Sequence, residues 1–175
     1  MAIAVVTNTA KSTADGNDVT SDAINTTGAS LLVVVASTFG ADATVSDSKT
    51  NTWSALTVRK FVNATTLQIF YAVNPTVGTG HTFTISTGAN FPSIFVIALS
   101  GTVTASPFDV ENGGTAALAT TLATGSVTPS ENNEILIAGL ANFPDGTDTI
   151  DLSFTIANQL PYVATSHRLK NSGNE

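Results

Sequence analysis

SIFVIALSG, residues 93–101, is an apolar run that opens directly after Pro92 and closes on a Ser-Gly turn signal. Its nearest equals are SLLVVVASTF (30–39), TTLQIFYAV (65–73) and EILIAGLAN (134–142). Runs of this kind, rich in β-branched and aromatic residues and bounded by Gly, Pro, Asn or Asp, read as strands buried on one or both faces. Together they point to a two-layer β domain.

Weaker segments fill in around these four. In HTFTIST (81–87) the alternation is clean, with Phe83 and Ile85 pointing inward and Thr82, Thr84 and Ser86 to water. In 65–73, Leu67, Ile69 and Tyr71 share one face, and Gln68, Phe70 and Ala72 the other. Residues 2–6 read as a first strand followed by a polar turn over 11–17, and 18–26 as a second, weaker strand. The stretch 43–58 splits into two short strands around a turn at Asp47 to Asn51, with Trp53 opening the second. Residues 88–92 read as a turn, and 107–109 (PFD) as an anchored loop or short edge segment. In 115–128 the Thr and Gly residues outweigh the helical leaning of Ala and Leu, so most of it reads as strand. Residues 150–157 alternate with Leu152, Phe154 and Ile156 inward, 159–170 hold a last strand, and the tail after about residue 170 is expected to fray. The count is about ten to twelve strands, with no helix long enough for a βαβ crossover. The expectation is an all-β fold, a single antiparallel β-sandwich, jelly-roll-like, spanning residues 1–175.

Composition narrows the partners. Only 11% of the 175 residues are charged, against about 25% in an average globular protein, so Thr, Ser, Asn and Gly must cover most of the surface. The net charge is −7, and from residue 61 to residue 160 there is no Lys or Arg at all. Nucleic-acid affinity rests on cations that neutralise phosphates, so nucleic acid is not an expected partner, and anionic membranes are disfavoured for the same reason. The apolar runs fall short of a membrane span, so no membrane insertion is expected. There is no cysteine, which removes disulfides and thiolate chemistry. Residues 1–10 lack the basic and long apolar regions of a secretory signal, so the chain is expected to be made without one or to have lost it.

No catalytic signature stands out, and the chain reads as a non-enzyme. His81 and His167 read as partly exposed strand residues, since no serine sits in a nucleophile elbow beside them. Glu111, Glu131 and Glu134 fall at turns or strand edges rather than across a cleft, as glycoside hydrolysis would require. Asp145, Asp148 and Asp151 offer closely spaced oxygens that would suit Ca2+, as does the DGND run at 15–18. The competing and preferred reading is turn chemistry, with no cofactor. Trp53 is either a sugar-stacking platform or, preferably, a core plug between the sheets; Tyr162 and Phe143 are the other aromatics near loops that would join it in a ligand site.

Three pieces, SDSKTNTW (46–53), IFYAVNP (69–75), and FVIALSG (95–101) followed by SPFD (106–109), resemble β-sandwich modules of bacteriophage structural proteins and of some bacterial surface proteins. The resemblance covers about residues 30–109 and implies a virion accessory role, such as capsid decoration or a fibre, with no catalytic residues carried over. The expected partners are copies of itself, as a homo-oligomer, or other virion proteins, and the expected location is the virion. In that pattern a further strand follows the region matching 162–169, so a partner chain is expected to complete the last sheet edge. The alternative is a carbohydrate-binding or adhesive module, extracellular or at a cell surface, holding a cell-surface glycan with Trp53, Tyr162 and the 145–151 loop.

Overall fold

Two strands that are apolar on both faces can be satisfied only at the centre of a sheet covered on both sides. In the computed structural model, which describes residues 2–14, 18–61, 65–86, 88, 90–116, 121–141 and 170–171, they are. Strands β3 (Leu31–Phe39) and β9 (Asn90–Ser100) pair antiparallel, with Leu31 opposite Leu99 and Ser37 opposite Ser93. The other edge of β3 is paired in full with β7 (Thr65–Val73), and β1 (Ala4–Ser12) closes on β9. Beyond β7 lie two short strands, β5 (Ser54–Ala55) and β6 (Arg59–Lys60). A second antiparallel sheet is ordered β2 (Asp18–Thr20), β8 (Phe83–Ser86), β4 (Thr44–Asp47). The fold is an antiparallel all-β sandwich without a helix among the described residues, as the alternation and spacing lead one to expect.

Period-two alternation assigns the two faces of the wide sheet. Leu32, Val34 and Ala36, Phe70 and Ala72, and Ile94, Val96 and Ala98 turn inward, where they meet Val19, Phe83 and Ile85 of the small sheet. The intervening residues Leu31, Val33 and Val35 and Phe95, Ile97 and Leu99 form a second cluster on the outer face, flanked by Leu67, Ile69 and Tyr71. Each fully buried aliphatic or aromatic side chain contributes about 1.5 to 3 kcal/mol, so both faces need cover. The small sheet supplies it on one side. On the other it comes from the chain around Ile135 and Ile137.

Several sequence expectations need correction. Strand β1 runs to Ser12 instead of ending near residue 6, because backbone pairing with β9 sustains an edge strand whose residues are polar. A register shift between Val5 and Thr7 lets Val6 reach the inner cluster while Ala10 packs on the outer one. Pro92 lies within β9 and not in a preceding turn. The ladder slips between Ser37 and Phe39, Phe91 adopts φ 54°, and the Pro92 carbonyl accepts from the Thr13 amide at 3.1 Å. A proline that lacks its donor is tolerated at such a bulge. Residues 115–116 and 121–128 form no strand, and all of them but Val127 run exposed.

In the run 134–142, read as an equal of 93–101, the described residues 134–141 are strand only at β10 (Ile135–Leu136), which pairs with β11 (Lys170–Asn171). Residues 137–141 cross the outer face of the sheet instead. A Cβ on Gly139 would stand 2.7 Å from Val35 Cγ1, so only glycine permits that approach. The strands expected at 150–157 and over most of 159–170 lie outside the described residues. No helix among the described residues is long and apolar enough to cross a membrane.

Candidate functional site

The alternation that points Val45 inward along β4 points Asp47 inward as well. The same rule carries His81 to the face of Phe83 and Ile85, one bridge beyond β8 at Ile24–His81. Both side chains are 0% exposed, and His81 Nε2 lies 2.9 Å from Asp47 Oδ1. Asp47 then folds its own turn around its carboxylate. Oδ1 accepts from the Lys49 amide at 2.8 Å and the Asn51 side-chain amide at 3.1 Å, and Oδ2 accepts from the Asn51 backbone amide at 3.1 Å and Trp53 Nε1 at 2.9 Å. Asn51 in turn accepts from the Thr76 amide at 2.6 Å and donates to the Thr76 carbonyl at 3.1 Å. On the far side of the imidazole, Nδ1 lies 2.9 Å from Thr26 Oγ1, which accepts from the Gly78 amide at 3.1 Å. Three loops, 21–29, 48–53 and 74–80, are thereby tied to one buried carboxylate.

The electrostatics follow from this wiring. Burial alone would raise the Asp47 carboxyl, but the bonds from His81, Trp53 and the Lys49 amide outweigh it and hold the group below the ordinary 3.8. Burial pushes the His81 imidazole below its ordinary 6.5 against the pull of Asp47, with Lys49 adding a smaller push downward. A neutral His81 donates from Nε2 to Asp47 and accepts the Thr26 hydroxyl proton at Nδ1. If His81 is protonated, Nδ1 donates to Thr26, whose hydroxyl then turns to the Gly78 carbonyl 3.2 Å away.

Hydroxyl, imidazole and carboxylate in a row have the connectivity of a hydrolytic triad. Access decides against that use, because Thr26, His81 and the Asp47 side chain are all at 0% exposure and no substrate carbonyl can approach Thr26 Oγ1. The cluster is a structural lock. His81 is thus not the partly exposed residue expected from its place at a strand start. The lock was readable in part from the shared parity of Asp47 with Val45 and of His81 with Phe83, but not the meeting of two residues 34 positions apart.

Trp53 sits half-buried against the inner core, edge-on to Phe83 with ring centroids 6.2 Å apart, and its indole N–H is committed to Asp47. Tyr162, Phe143, Asp145, Asp148, Asp151 and His167 lie outside the described residues, as do 15–17 of the DGND run; Asp18 stands exposed on β2. Among the described residues no three His, Asp or Glu side chains converge on a metal position. The glutamates serve the outer cover: Glu111 accepts from the Thr57 hydroxyl at 2.6 Å, and Glu134 accepts from the Glu131 amide at 2.8 Å.

That cover leaves two cavities over the outer face. One, of 270 Å³, lies between β6–β7 and residues 110–141; the other, of 500 Å³, runs over Leu31, Val33 and Tyr71 beneath residues 101–110 and 130–137. The second is rimmed by exposed apolar side chains, Val103 at 63%, Phe108 at 41% and Val110 at 43%. Phe108 stacks on Tyr71 at 6.3 Å and 14°. No family model, curated protein or solved structure matches the chain.

Proposed function

We propose that the chain is a non-enzymatic structural protein of a phage particle, a capsid decoration, fibre or related virion component. It acts through protein contacts with copies of itself or with other virion proteins. The observation that carries this reading is the contrast between buried chemistry and exposed surface. The one buried pair of ionisable groups described spends its hydrogen bonds inside the fold, while Val103, Phe108 and Val110 stay in solvent around one groove. Exposed apolar groups gathered in this way mark contact surfaces. The resemblance of residues 30–109 to phage β-sandwich modules supplies the virion setting.

The test is immunogold labelling, with an antibody to this chain, of particles banded by density from the source culture. Regular label on the particles is expected. Recovery of the chain only in the particle-free fraction would contradict the proposal. The carbohydrate-binding reading rests, among the described residues, on Trp53, whose indole N–H is already used by Asp47.

A further inference from the structure

We infer that the 500 Å³ groove on the outer face receives an apolar, lysine- or arginine-bearing segment of a partner protein, an inference that rests on the chain acting through protein contacts. The floor is hydrophobic, formed by Tyr71 and the outer cluster, and Val103 and Phe108 project beside it into solvent. Burying them against apolar groups is the favourable step in association. The wall carries three carboxylates, Asp109, Glu131 and Glu134, and among the described side chains no Lys or Arg lines the groove.

These acids are held in place. The Ser130 amide and hydroxyl each donate to Asp109 at 2.8 Å, which joins residue 109 to the 130–134 turn, and Glu134 accepts from the Glu131 amide. Bonds from the Ser130 amide first, and then its hydroxyl, keep the Asp109 carboxyl below its ordinary value, so it stays charged through the neutral range. Glu131 makes no side-chain bond among the described residues, which leaves its charge for a partner cation.

Charge selects the occupant. A fixed negative rim around an apolar floor attracts cations and repels anions, so an acidic segment or a phosphate-rich surface is excluded. A second copy of this chain is disfavoured by its own net charge of −7.

The test uses the full chain and a fluorescein-labelled octapeptide of alternating Lys and Leu or Phe, read by polarisation. Saturable binding that weakens with salt is expected, with binding at least about tenfold weaker when Glu replaces Lys or Ser replaces the apolar residues. Glu131→Lys and Val103→Asp, both surface changes that leave the core intact, are each expected to weaken binding about fivefold or more. Asp18→Lys, on β2 of the other sheet, is expected to leave it unchanged. Equal loss in Asp18→Lys would reduce the effect to general charge attraction and overturn the inference. So would a concentration-dependent dimer abolished by Val103→Asp, which would seat a second copy in the groove. Particle labelling without peptide binding discards the groove alone; absence of both discards the wider reading as well.

Discussion

The two faces of the wide sheet are built from the same strands and are covered in opposite ways. Inward, alternating residues of β3, β7 and β9 interlock with Phe83 and Ile85, and the end of the sandwich is fastened by Asp47 and His81 at 0% exposure. Outward, an equally apolar surface is covered by irregular chain. Outside the strands, no backbone–backbone hydrogen bond between described residues begins or ends in 102–116 or 121–134, and cavities of 270 and 500 Å³ remain beneath. One face holds the fold; the other is the face proposed above for contacts. Regions with few backbone bonds and exposed apolar groups open at low cost.

The contrast is broken most severely by Phe83→Ala. This change empties a fully buried site in contact with both His81 and Trp53, and it is expected to cost about 3 to 5 kcal/mol in urea unfolding. Asp47→Ala comes close behind, at about 3 to 4 kcal/mol, because it strands His81, Trp53 and the Asn51 amides without an acceptor. A loss under 1 kcal/mol would show that the lock adds nothing to packing.

Acid sharpens the same point. His81 in the fold titrates below 6.5, so its contribution is fully present above that pH and is lost as pH falls from 6.5 through the folded value. Asp47, depressed below 3.8, acts in the same direction at lower pH. Thermal midpoints are expected to fall in two stages on acidification. In His81→Gln the upper stage should be reduced, and an unchanged profile would remove His81 from the account.

Strands β3, β7, β8 and β9 are legible in the sequence because their apolar residues are buried where a ladder partner is present. Apolar character reports burial, however, and not pairing. Residues 134–142 are as apolar as a core strand, yet 137–141 cover a sheet face, and Gly139 is the only hint of that close approach. The lock was hidden for another reason. A solitary histidine and an aspartate in a turn each have an ordinary surface reading, and only the three-dimensional meeting of β4 with β8 makes them partners.

Smaller effects belong to the outer face. The hydroxyls of Ser37 and Ser93, opposite each other across β3 and β9, are buried without a hydrogen-bond partner among the described residues. Ser93→Ala is therefore expected to be neutral or to stabilise by about 1 kcal/mol, and a loss above that would reveal a hidden partner. Val103→Ser should change stability by less than about 0.5 kcal/mol.

The most direct test of the two-face account is native-state hydrogen exchange on the intact chain. Amides of β3, β8 and β9 are expected to exchange only with global unfolding, while those of 102–116 and 121–134 exchange through local opening at a small fraction of that free energy. Equal protection of 102–134 and the inner strands would mean that the outer cover is as much a part of the cooperative core as the small sheet, and would contradict the account.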